Sequence, residues 1–317
     1  PGSLIYGSDA IGGVMDFHSL NAGFSKDKKM LVSGSALARY STANKENTFH
    51  ADINLGFKRW SLLSSVTYSK FDDLKMGKHG GQSSYLRPEY VERINGIDSI
   101  VKNSNSRIQR FSGYEQINFL QKIRYKPTEH FDIQYSFTYA GTGNAPRYDR
   151  LIQYRSGKLR FAEWNYGPML WRMHNLQMLH SKKNILYDDL RVTVAYQNYD
   201  ESRIDRTRAS NNRNIQAEKV NAISVNIDAN KKMGKGDLFY GAEYVYNKVG
   251  SVGSKTNITN NAVTPAVSRY PDGSTWNTSG IYGDGNQRYA IFPYPGPTAG
   301  IVGSGISVGT NGVSVFE

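Results

Sequence analysis

The chain has 317 residues, 39 Lys plus Arg against 27 Asp plus Glu, no Cys, and 22 Tyr beside 13 Phe and 4 Trp. The absence of Cys excludes disulfide scaffolds, Cys zinc sites, thiol catalysis and iron–sulfur clusters. A mean hydropathy of -0.56, with no apolar run of helix-spanning length, argues against an α-helical membrane protein but not against a β-barrel, in whose wall only alternate residues face lipid.

In chain order, the first segment is SLIYGSDAIGGVMDF, with Gly7, Gly12 and Gly13. It fails as a phosphate loop because Gly13 stands where the lysine is required, and as a dinucleotide fingerprint because it has no G-x-G. Pro1 in place of an initiator Met, without a signal peptide, predicts a natural start further upstream.

Alternation of apolar and polar residues then dominates, the mark of strands with one face of each kind. A weak instance runs from Val32 to Tyr40. The clearest sets Phe49, Ala51, Ile53, Leu55 and Phe57 against His50, Asp52, Asn54 and Lys58. Trp60 to Tyr68 follows, then a long connection from Phe71 to Gly113. Ile117, Phe119, Ile123 and Tyr125 lead through a turn with Pro127 to Phe131, Ile133, Tyr135, Phe137 and Tyr139, which alternate with Asp132, Gln134, Ser136 and Thr138. A second long connection, Ala140 to His174, precedes a short strand from Asn175 to Ser181. Leu190 to Tyr196, a third long connection from Asn198 to Lys219, Ile223 to Ala229, a turn with Gly234 and Gly236, and Leu238 to Tyr246 complete the series. From Asp284 to Glu317 the chain is rich in Gly and Pro and the alternation fades.

The pattern predicts roughly nine strands of about 9–11 residues, long enough to cross a bilayer at a tilt. Tight turns alternate with long connections, and Tyr and Phe recur at strand ends. That layout belongs to an outer-membrane barrel with short periplasmic turns, long outer loops and aromatic girdles, rather than to a soluble sandwich. The fold class expected is therefore all-β, an antiparallel transmembrane β-barrel.

The net charge of +12 raises nucleic acid as a partner. Lys and Arg are scattered among Asp and Glu, however, and form no basic helix. A surface meeting water and anionic lipid head groups fits better, and no nucleic-acid partner is expected.

Tyr6, Gly7, Ala10, Gly12, Gly13 and Val14 resemble the end of the plug domain of TonB-dependent outer-membrane receptors. PRYDRL (Pro146 to Leu151), AEWNYGP (Ala162 to Pro168), AYQNYDESRIDR (Ala195 to Arg206), YGAEYVYNKV (Tyr240 to Val249) and RYPDGSTWN (Arg269 to Asn277) resemble a Bacteroidetes-type branch of that family. The resemblance implies a plugged barrel of about 22 strands. Of this the chain would hold the end of the plug (1–18), roughly 9–10 strands of the barrel (19–283) and a tail of uncertain nature (284–317), making it a fragment. It also implies high-affinity uptake of a scarce ligand, most simply iron as haem or ferric siderophore. The inner-membrane TonB complex would drive uptake through the region upstream of Pro1. A passive porin or structural barrel is the alternative, told apart by the absence of an upstream plug.

The second long connection carries Arg147, Tyr148, Arg150, Trp164, Tyr166 and Trp171. Aromatic faces beside guanidinium groups suit a flat or anionic ligand. His79 and His174, expected on loops, could offer imidazole to haem iron. No resident metal or cofactor is expected. No catalytic motif such as HExxH or GxSxG is present, so an enzyme is not expected. A barrel hydrolase would need the lumenal Asp52, Asn54 or Asp132.

Overall fold

The computed structural model describes residues 19–27, 29–79, 86–234 and 236–285, and the backbone of residues 306–309 and 312–315. Ten long strands form one antiparallel sheet in chain order: β1 (Leu31–Ser41), β2 (Glu46–Gly56), β3 (Trp60–Phe71), β4 (Tyr114–Tyr125), β5 (Phe131–Thr142), β6 (Met169–Ser181), β7 (Asp189–Thr207), β8 (Asn212–Met233), β9 (Gly236–Asn257) and β10 (Ser274–Gly285). Each pairs with its sequence neighbour, the simplest way to satisfy every backbone N–H and C=O along a meander. No helix among the described residues is long and apolar enough to cross a membrane.

The exposure pattern is inverted relative to a water-soluble sheet. On β2, Phe49 and Ile53 are 57% and 46% exposed, whereas Thr48 and Asn54 on the other face are each 6% exposed. On β3, Trp60, Leu62, Val66 and Tyr68 are exposed while Ser61, Leu63 and Ser69 are buried. The polar side chains shield one another because theirs is the concave face of a curled sheet. The apolar ones spread over the convex face, as a barrel wall set in hydrocarbon requires.

Aromatic rings gather on the convex face near the tight turns, where Trp60 stacks on Tyr125 at 4.1 Å and Phe131 on His180 at 4.4 Å. At the other end the exposed Tyr68 and Tyr196 donate their hydroxyls to Glu115 and Asn221. Some polar side chains interrupt the apolar face between these belts. Ser64 and Gln121 stand opposite each other on β3 and β4, with the Ser64 hydroxyl 2.6 Å from Gln121 Oε1.

One connection expected to be a long loop is not a loop. Most of Asn198 to Lys219 lies in an extension of β7 and β8, paired as far as Asp205 and Asn214. β9 likewise runs on to Asn257. Both faces of these extensions are polar, so no alternation of hydropathy reveals them, although the ladder itself continues. The connection from Ala140 to His174 ends at Pro168, and Trp171 and His174 belong to β6. Residues 306–309 and 312–315 pair only with each other, apart from the large sheet.

Ahead of β1, residues 19–25 lie against the polar face of β2, β3 and β4, held by hydrogen bonds to Asn54, Ser61, Lys122 and Arg124. The chain thus enters the wall from its concave side.

Candidate functional site

The end of the sheet opposite the tight turns carries the long connections. Between β3 and β4 a hairpin forms from Glu89–Ile94 and Ile97–Lys102. Asn95 and Gly96 make its turn with φ of 48° and 79°, the left-handed conformation that Asn-Gly favours. Between β5 and β6 come a helical turn at Tyr148–Leu151, a hairpin of Tyr154–Arg155 with Lys158–Leu159, and a strand Phe161–Tyr166 that pairs with the extension of β7.

Buried charge ties these pieces together. The Asp98 side chain is 0% exposed and accepts hydrogen bonds from Arg206 Nη1 at 2.6 Å, Arg206 Nη2 at 3.0 Å and the Ala209 N–H at 2.8 Å. Arg206, its side chain 3% exposed, turns Nε to Glu163 at 2.9 Å, and Arg213 Nε reaches the same carboxylate at 2.7 Å. Burial raises the Asp98 carboxyl, but the hydrogen bonds from Arg206 and Ala209 outweigh it and hold the group below its ordinary range. Glu163 is shifted the same way: burial opposes, and the bonds from Arg213 and Arg206 prevail.

Beside this network opens a cleft of about 700 Å³, lined among others by Lys70, Phe71, Tyr114, Arg93, Trp164 and Arg206. Phe71 stacks on Tyr114 at 4.6 Å at its wall end.

Three of the predicted ligand residues, Arg147, Trp164 and Tyr166, come together here, with Tyr148 next to Arg147 in the chain. The Arg147 guanidinium lies 5.0 Å from the Trp164 ring and 5.6 Å from the Tyr166 ring, and its Nη1 donates to the Tyr166 hydroxyl at 3.1 Å. Trp164 meets Tyr166 edge-on at 5.0 Å. Arg203 approaches Tyr166 at 5.4 Å, and Arg87 covers Tyr148 at 5.4 Å. The rings thus already carry guanidinium groups, and Arg147 also turns its Nε to the Asp149 carboxylate at 2.9 Å. Arg150 sits on the helical turn with Asp149 at 3.9 Å.

The other predicted residues lie elsewhere. Trp171 is in the wall, its Nε1 donating to Gln197 at 3.0 Å. His174 is on the apolar face of β6, 4.9 Å from the Phe137 ring and hydrogen-bonded to the Tyr135 hydroxyl at 2.8 Å, so it is not a loop ligand. The segment WRMHN misled because both of its faces mix apolar and polar residues. His79 is exposed on the connection after β3. The plug motif residues Tyr6, Gly7, Ala10, Gly12 and Gly13 lie outside the described residues. Arg87 and Asp98 carry no signal in the sequence, and Arg206, which the AYQNYDESRIDR string suggests as a strand-end partner of Asp205, pairs instead with Asp98 and Glu163. The Asn95-Gly96 pair between β-branched residues was the available signal for the hairpin that carries Asp98.

No protein-family model matches the sequence, and no curated protein shows significant similarity to it. Among solved structures the chain is similar to the copper transporter OprC, with a TM-score of 0.54 and 14% identity, covering 81% of this chain and 33% of that one. The fold is therefore that of a β-barrel wall, and the chain spans about a third of OprC's length. Weaker likenesses are to the ferric yersiniabactin uptake receptor FyuA from Yersinia pestis (TM-score 0.48, 11% identity, 81% of this chain and 39% of that one) and to the ferric citrate transporter FecA (TM-score 0.46, 11% identity, 88% and 37%). A TM-score below 0.5 does not establish a shared fold.

Proposed function

We propose that the chain is part of an outer-membrane receptor of Gram-negative bacteria that takes up a scarce ligand with high affinity, energised by the inner-membrane TonB complex. Residues 1–18 are then the end of a plug, 19–283 part of the barrel, and 284–317 a Gly- and Pro-rich tail whose first two residues complete β10. The observation that carries this reading is the inverted wall, apolar on its convex face and polar on its concave one. Long connections at one end of that wall offer a ligand site. The entry of the chain along the concave face supports a plugged barrel over the passive porin, whose lumen must stay open. A transporter is among the structures that share the fold.

The cargo we propose is iron as haem or ferric siderophore, held by Arg147, Tyr148, Arg150, Trp164 and Tyr166, with His79 as an exposed imidazole nearby in sequence to the loop end of β3. Outer-membrane lipids cover the convex face. We assign the chain no catalysis. The test is uptake of haem and of ferric siderophores by cells expressing the full-length gene under iron limitation, with and without an uncoupler. Uncoupler-sensitive uptake is expected; uptake that ignores the uncoupler belongs to a passive pore.

A further inference from the structure

The segment ahead of β1 is bound to the wall in an unusual way. Residues 19–25 do not join the sheet as a strand; side chains from three strands take their backbone groups instead. Lys122 Nζ on β4 donates to the Leu20 carbonyl at 2.6 Å and reaches that of Ser19 at 3.5 Å. Arg124 donates to the Ala22 carbonyl at 3.2 Å. On β2, Asn54 exchanges two bonds with Gly23, receiving its N–H at 2.8 Å and donating to its carbonyl at 3.2 Å. Ser61 on β3 adds a bond to the same carbonyl at 2.6 Å, and the Ser25 N–H reaches Phe57 at 3.2 Å.

The fit is close. Ala22 is fully buried, and a Cβ on Gly56 would lie 2.4 Å from the Gly23 oxygen, so only glycine lets the segment this near the wall. The Phe24 ring lies 5.1 Å from both Arg124 and Lys126, and Asp132 fixes these cations from the other side, at 2.8 Å from Arg124 Nε and 3.3 Å from Lys126 Nζ. Charged donors on carbonyls make stronger bonds than neutral ones. Here they grip main-chain atoms, and the buried Ala22 and the Phe24 ring add side-chain packing to that hold.

We propose that Lys122, Arg124, Asn54 and Ser61 are positioning residues forming a fixed anchor, at which any displacement of the chain upstream of Ser19 during transport stops. This rests on the transport reading given above. A pull on the upstream region meets the carbonyl grip before it reaches β1, so the wall keeps its first strand pairing while the upstream chain moves.

The chain has no Cys, and with any Cys elsewhere in the full-length protein changed to Ser, single cysteines report accessibility without a background. In full-length protein in the outer membrane, Ser8→Cys and Ala22→Cys are each labelled with a membrane-impermeant maleimide, in energised and in uncoupler-treated cells. Energisation is expected to speed labelling at position 8 and leave position 22 slow. Adding Lys122→Met with Arg124→Met is expected to raise energised labelling at position 22 at least roughly tenfold, and Lys122→Arg is expected to retain protection. If the double variant does not insert, Lys122→Met alone is compared with Lys122→Arg. A position 8 that ignores energisation overturns the transport reading, and the anchor's role with it. A position 8 that responds, while position 22 stays protected without Lys122 or is exposed equally without energy, overturns the anchor alone.

Discussion

Asp98 and Arg206, 108 residues apart in sequence, form a two-pronged ion pair with Nη1 at 2.6 Å and Nη2 at 3.0 Å from the carboxylate oxygens. The pair joins the hairpin of one connection to the extension of β7. Glu163 on a second connection completes the junction through Arg206 Nε.

Arg206→Ala leaves the buried Asp98 carboxylate with only the Ala209 N–H and a long contact to Arg93 at 3.4 Å, while Glu163 keeps Arg213. Removing one partner of a buried pair costs about 3–5 kcal/mol, because the remaining charge is left without compensation. Hydrogen exchange should therefore quicken in residues 89–102 and 161–166 while β1 to β5 stay protected. Unchanged exchange in the hairpin would show that other contacts hold it.

The same junction sets a pH response. Asp98 and Glu163 both have carboxyls held below their ordinary range, so the stability they contribute is present above the unfolded carboxyl value, about pH 4. It is lost as pH falls through the lowered folded values. Hairpin protection should stay flat from about pH 8 to pH 5 and decline only below about pH 4. A decline centred near pH 6 would contradict this and point to histidine.

Changing Arg147, Tyr148 and Trp164 together to Ala in the full-length protein should weaken ligand binding at least roughly tenfold, about 1.4 kcal/mol. Titration with haem and with ferric siderophores measures it. Affinity unchanged for the ligand the protein takes up would remove this cluster from the site.

The inverted wall predicts opposite costs on its two faces. Val66→Lys, on the exposed apolar face of β3, should cost about 2–4 kcal/mol near the bilayer midplane, whereas Ser65→Lys on the polar face should cost far less. Denaturant unfolding from lipid vesicles compares them. Equal costs would be inconsistent with a lipid-facing convex side.

Legibility in the sequence followed the solvent. Where one face meets hydrocarbon and the other water, as at Phe49 to Phe57, alternation is strong and the strand is readable. Beyond the hydrocarbon both faces of β7 and β8 are wet, the selection for alternation vanishes, and the paired stretch around Arg203 and Gln216 looked like a loop. In the loops, the meeting of Arg147, Trp164 and Tyr166 is foreshadowed by residue type and proximity in sequence. The roles of Asp98, Arg206 and Arg87 are not, because they arise from partners far along the chain. His174 resembled a loop ligand until its two strand neighbours placed it on the wall.

The Ser64 and Gln121 pair has a consequence for assembly. Facing outward between the two aromatic belts, the Gln121 amide also donates to the Leu63 carbonyl at 3.0 Å, so its polar groups are matched only when β3 and β4 are aligned as found. Sliding one strand past the other by a residue pair would leave an amide facing lipid tails without a partner, at a cost of several kcal/mol. The pair therefore acts as a registration pin: during insertion it rejects misaligned hairpins at a point where apolar side chains alone would tolerate them.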